Sequence, residues 1–74
     1  MLKLGRYNRW EGGIYILILI AEHTETGELF CIYKDALKDG PNWAIPFDTW
    51  IEKVVWPDGE TRSRFIYIGD INYE

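Results

Sequence analysis

His23 and Glu25 lie two residues apart in the run Ala21-Glu22-His23-Thr24-Glu25-Thr26. In extended geometry such residues share a face, so this spacing sets a carboxylate beside an imidazole. That pair serves either as a general base or as a polar anchor for a ligand. A hairpin would bring Tyr33 alongside in a neighbouring register. Alternatively, His23 and Thr24 bond local backbone groups and simply organise a turn. Both roles stay open at the level of sequence.

Aromatic side chains supply the second kind of chemistry. Trp10 and Trp43 are flanked by polar and turn residues, which suits a surface groove. With Tyr33 they would form a platform on which a base, a sugar or a peptide stacks. Trp50 reads as core. Arg6, Arg9, Arg62 and Arg64 fall near the two ends of the chain. They make one basic patch if the first and last strands are neighbours, with Arg64 as an anion anchor. Otherwise they pair with Glu11, Glu60 or Asp70 as surface salt bridges of little energetic weight.

Other chemistries lack their residues. A lone Cys31 excludes an intramolecular disulfide and a cysteine-based zinc cluster, and one His argues against a His-rich metal site. Cys31 sits mid-strand between Phe30 and Ile32, where a thiol behaves as a small inert hydrophobe. The carboxylates are scattered singly, and Gly12-Gly13 lacks a phosphate-loop pattern. No catalytic residue, metal or cofactor is therefore assigned. The candidate ligand-binding residues are Trp10, His23, Glu25, Tyr33, Trp43 and Arg64.

A chain of 74 residues makes one domain, expected as a core over 5–68 with a tail over 69–74. That length is close to the size at which a single core is marginal. Aromatic residues at 16%, including four Trp and five Tyr, point to ring packing as one stabiliser. Self-association is another. The net charge of -4 disfavours nucleic acid and anionic membrane surfaces. The longest apolar run is about half the ~20 residues that span a bilayer, and no signal-peptide layout precedes it. A cytoplasmic location is expected.

The elements that position these residues follow from periodicity. Ile14 to Ala21 is apolar at every position, with Ile14, Ile16, Ile18 and Ile20 on one face and Tyr15, Leu17, Leu19 and Ala21 on the other. A strand apolar on both sides needs two coverings. One is the domain's own core; the other is a folded-back strand, a short helix or a second copy of the chain. Thr24 to Gly27 reads as a turn, and Glu28 to Lys34 as the partner strand of a hairpin. Arg6 to Trp10 is a short first strand or an extended arm, and Trp43 to Pro46 is extended because residues before Pro favour the β region. Phe47 to Thr49 allows one helical turn. Trp50 to Trp56 and Arg62 to Ile68 read as strands around the Pro57-Asp58-Gly59-Glu60 turn. Asp48 to Val54 alone also suits a short helix, and a helix over residues 47–54 packed on an antiparallel sheet is the rival fold. The expected fold is all-β: a small, strongly bent antiparallel sheet or an SH3-like barrel of about five strands, with at most one short helical turn near 47–50.

Several of these segments also occur together in one order. They are Gly5-Arg6-Tyr7 through Gly12, then Ala21-Glu22-His23-Thr24-Glu25-Thr26, then Ile32-Tyr33-Lys34, and finally Gly40-Pro41-Asn42-Trp43-Ala44-Ile45-Pro46 leading to Arg64-Phe65. In this spacing the chain resembles a bacterial and phage family known as domain of unknown function 1653, over roughly positions 5 to 66. The family's Arg before Pro is Ile45 here, and the basic residue after Tyr33 is Lys34. The resemblance implies a compact, single-domain, β-rich protein and no particular reaction.

Taken together, the residues suggest a non-enzymatic binding module. Its expected target is a protein segment or a small anionic or nucleotide-like ligand, held in an aromatic groove. The second apolar face of strand 14–21 suggests an alternative, a homodimer or hetero-complex that blocks or sequesters a host component. A small enzyme built on His23 is the third possibility.

Overall fold

The computed structural model describes residues 2–71. Seven strands form: β1 Gly5–Arg9, β2 Ile14–Glu22, β3 Leu29–Asp35, β4 Trp43–Pro46, β5 Lys53–Val55, β6 Thr61–Ser63 and β7 Phe65–Gly69. One short helix, α1 Phe47–Trp50, follows β4 directly. The main sheet has the order β4-β3-β2-β1-β7, antiparallel throughout, and β5 with β6 makes a separate two-stranded ribbon.

The β2–β3 hairpin forms as its pattern predicts. The His23 N–H donates to the Glu28 carbonyl at 2.8 Å and the Gly27 N–H to the His23 carbonyl at 2.9 Å. Gly27 takes φ 75°, a left-handed conformation that glycine adopts without steric cost. The sheet does not close into a barrel: β4 and β7 are its opposite edges. β4 is only four residues long and ends at Pro46, which has no N–H to donate to another strand.

Three local expectations are corrected. The faces of β2 exchange at Ile18, because Leu17 stands opposite Tyr33 while Leu19 stands opposite Ile32. One residue is thus inserted on β2, and a bulge of this kind bends the strand. Tyr15 and Leu17 are buried, Ile20 rather than Leu19 packs on the core, and Leu19 is 45% exposed. Trp50 to Trp56 is not one strand. Trp50 ends α1, where the Ile51 N–H donates to the Phe47 carbonyl and the Glu52 N–H to the Thr49 carbonyl, each at 3.2 Å. Finally, Arg62 to Ile68 breaks at Arg64, whose N–H donates to the Glu52 carbonyl at 2.7 Å while its own carbonyl accepts from the Trp10 N–H at 2.9 Å. β6 therefore pairs with β5, and β7 pairs with β1.

One side of the sheet carries the core. Tyr7, Tyr15, Leu17, Cys31, Trp50 and Phe65 are buried there, with Leu2, Ile20, Tyr33, Ile45, Phe47 and Tyr67 packed against them. Trp50 stacks on Phe65 at 3.7 Å and meets Tyr7 edge-on at 5.2 Å. β1 must pass close to β7 for this: a Cβ on Gly5 would fall on the Gly69 carbonyl oxygen.

The register assigns the opposite face equally firmly. Ile14 pairs with Asn8, Asn8 with Ile66, and Ile16 lies between Arg6 and Lys34. Leu19, Ile32 and Ala44 form one row, and Ala21, Phe30 and Pro46 form the next. Helix α1 does not cover this face, since it packs on the core side through Trp50. Of the coverings a two-sided apolar strand calls for, the helix is therefore not the one used; on this face Leu19 is 45% exposed, while Ile14, Ile16, Phe30, Ile32 and Ile66 are partly buried.

Candidate functional site

The structure places His23 in a turn of its own making. Its Nδ1 accepts the backbone N–H of Glu25 at 3.1 Å and that of Thr26 at 3.4 Å. Thr26 Oγ1 then accepts the Glu28 N–H at 3.1 Å. His23 thus meets the backbone of Glu25, not its carboxylate. Both side chains are exposed. This is the turn-organising geometry, in which the imidazole replaces a missing backbone acceptor.

Tyr33 and Trp43 are brought together. They face each other across β3 and β4, with ring centroids 5.6 Å apart. Tyr15 joins both, at 5.8 Å from Tyr33 and 6.5 Å from Trp43. Trp43 is 42% exposed, so its ring caps the aromatic core at the β4 edge. The Arg9 guanidinium lies over Tyr15, 4.7 Å from the ring centroid. Burial pushes the Tyr33 hydroxyl above its ordinary pKa, and Arg9 partly offsets that rise. His23 and Glu25 stand away from this cluster: Leu29, at the turn end of β3, is four residues from Tyr33, or about 13 Å along the strand.

Arg64 is a structural tie. Its Nε donates to the Thr49 carbonyl at 3.2 Å and its Nη2 to Glu52 Oε1 at 2.8 Å. It thereby clamps the end of α1 to the break between β6 and β7. The four arginines do not make one patch, although β1 and β7 are neighbours. Arg6 donates to the Asp70 carbonyl at 3.1 Å, and Arg62 pairs with Asp58 at 2.6 Å. That pairing holds the exposed Asp58 carboxyl below its usual range. Arg9 reaches Glu11 only at 3.8 Å.

Trp10 contributes to a groove whose other wall was not legible in sequence. The groove is about 290 Å³ and is lined by Asn8, Arg9, Trp10, Gly12, Trp56 and Pro57, with Glu11 and Gly13 at the turn. Trp10 comes from the β1–β2 turn and Trp56 from the end of β5, so the two sheets meet here. The Trp56 indole N–H donates to the Ser63 carbonyl at 2.9 Å, and Arg62 lies over its ring at 5.5 Å. Both fix the wall. Gly12 at φ 105° has open space around it, which leaves the backbone approachable. Arg9 lines the groove and also covers Tyr15, so it links the Trp10–Trp56 groove to the Tyr33–Trp43 cluster.

A second recess of about 180 Å³ lies between Glu28, Leu29, Phe47 and Asp48. Among the described residues no group of three or more His, Cys, Asp or Glu is placed to hold a metal ion. No helix among them is long and apolar enough to cross a membrane. Cys31 is fully buried, and desolvation pushes its thiol up to about 11.

Comparison with known proteins fits this architecture. The pattern of a family described as "Protein of unknown function (DUF1653)" matches residues 5–67. The chain belongs to this family. The span runs from β1 into β7 and takes in both walls of the groove. The fold is similar to the crystal structure of a family member from Bordetella bronchiseptica, with a TM-score of 0.79 and 27% identity. That likeness covers 99% of this chain and 95% of the other. No curated protein matches the chain.

Proposed function

We propose that this chain is a non-enzymatic binding module that holds an extended protein segment in the Trp10–Trp56 groove. The observation that carries this reading is the pair of tryptophans, drawn from two different sheets and facing one cleft beside Pro57. Its volume of about 290 Å³ lies at the bottom of the range for small-molecule sites. It suits one or two side chains of a segment better than a whole cofactor. Flat indole walls stack well on proline rings, whose fixed φ lowers the entropy lost on binding. An anionic ligand fits less well. The cation in the groove, Arg9, already covers Tyr15, and Glu11 would repel the anion. Glu11 and the net charge of -4 favour a basic segment instead.

A titration of the full chain with a proline-rich decapeptide containing one Arg tests this, followed by Trp fluorescence. Trp10→Ala should weaken binding by tenfold or more, in line with the ~2 kcal/mol of a buried aromatic anchor. Unchanged affinity in Trp10→Ala, or tighter binding of ATP than of the peptide, would contradict it. A cytoplasmic setting belongs to the same proposal, supported by the buried reduced thiol of Cys31.

The outer face of the main sheet favours a second role in assembly. Each leucine-sized side chain left in water forgoes roughly 1.5–3 kcal/mol. Leu19, 45% exposed, shares that face with the partly buried Ile14, Ile16, Ile32 and Ile66. The face would be covered by a second copy or by another protein, and His23 contributes to neither role.

A further inference from the structure

We propose that Asp58 and Arg62 are positioning residues of the Trp10–Trp56 groove, which set its affinity for a segment by holding the Trp56 ring from behind. This rests on the binding reading above and adds two residues, neither of which lines the groove. The ribbon that carries Trp56 is small: β5 and β6 have three residues each and pair only with each other. Two short strands by themselves are marginal in water. A groove wall built on them needs fixing from within the ribbon.

The ribbon supplies that fixing. Arg62 stands opposite Val54, and the Trp56 N–H donates to the Glu60 carbonyl at 2.8 Å, which continues the ladder past Val55. Trp56 is two residues beyond Val54, so the strand period sets it diagonally beside Arg62 on one ribbon face. The Arg62 guanidinium accordingly lies over the indole, 5.5 Å from the ring centroid. Because Arg62 does not line the groove, it backs the ring on the side turned away from the cleft. Asp58 holds the guanidinium as a fork, with Nη2 donating to Oδ2 at 2.6 Å and Nη1 to Oδ1 at 3.3 Å. The carboxylate is itself fixed, because Oδ1 accepts the Glu60 N–H at 3.0 Å. The indole N–H, donating to the Ser63 carbonyl at 2.9 Å, sets the ring's remaining rotation. A ring fixed before binding loses less rotamer freedom when a segment arrives, an advantage of about threefold to tenfold in affinity. The same exposed ion pair adds little to folding.

The test uses the full chain and the Arg-containing proline-rich decapeptide, with Arg62→Ala and Asp58→Asn. Asn keeps an oxygen for the Glu60 N–H but gives up the charge that grips Arg62. The two substitutions change the net charge in opposite directions, so a shared loss does not come from weaker attraction of a basic peptide. Calorimetry gives affinity, nitrogen relaxation of the Trp56 indole in the free chain gives ring order, and urea midpoints give stability. Both variants are expected to bind about fivefold more weakly, with a more mobile Trp56 indole and a stability change no larger than that of a surface ion pair. Affinity within about twofold of the parent in either variant, or an unchanged Trp56 indole, overturns the inference and leaves the groove standing. Loss of affinity matched by an equal loss of folding stability overturns it too. Failure of the parent chain to bind the peptide defeats the groove reading itself, and this inference with it.

Discussion

Trp50 and Phe65 lie face to face, centroids 3.7 Å apart and planes only 4° from parallel. This stack joins α1 to β7 and explains why Trp50 leaves the strand pattern. A ring that large is worth more against Phe65 and Tyr7 than in a two-stranded ribbon at the sheet's end.

Removing Trp50 should therefore be costly. Trp50→Ala is expected to lower unfolding stability by about 3–5 kcal/mol, enough to unfold a domain of this size at 37 °C. Trp43→Ala, at 42% exposure, should cost less than half as much. Urea unfolding of both variants checks the ranking; equal losses would contradict it.

The buried thiol predicts loss of stability at high pH. Burial raises Cys31 from 9.0 to about 11, and Tyr7 and Tyr33 shift in the same direction. Between these two values the unfolded chain releases the thiol proton and the folded chain keeps it, so stability falls as pH rises. The contribution is whole below pH 9 and lost by pH 11, on the order of 2 kcal/mol. Denaturant midpoints from pH 8 to 11 should show the decline, and Cys31→Ala should make it shallower.

His23 should matter to the turn alone. His23→Ala removes the acceptor for the Glu25 and Thr26 N–H groups and should cost about 0.5–1.5 kcal/mol. Peptide affinity should stay within twofold of the parent chain. A tenfold loss of affinity with unchanged stability would instead return His23 to the binding site.

The fold was readable wherever one local pattern decided it. The β2–β3 hairpin follows from two apolar strands around Gly27, and the turn at Phe47 follows from Pro46. The bulge at Ile18 was hidden because every neighbour is apolar, so nothing marks where the faces exchange. The break at Arg64 depends on Glu52 and Trp10, both distant in sequence, claiming its backbone. For the candidate groove, the sequence pointed to Trp10 together with Tyr33 and Trp43, but the structure separates them. Tyr33 and Trp43 meet each other, while Trp10 faces Trp56 beside Arg9, neither of which the sequence marked for the groove. Trp56 does precede a Pro-Asp-Gly turn, a signal that it ends a ribbon, but only the packing of that ribbon beside Gly12 makes it a wall.

The four indole N–H resonances of this chain report on the groove most directly. In a nitrogen–proton NMR titration with the Arg-containing proline-rich decapeptide, Trp10 and Trp56 should shift most, while Trp50, buried on Phe65, should barely move. Movement of Trp43 alone, or of none of the four at saturating peptide, would contradict the Trp10–Trp56 groove as the binding site.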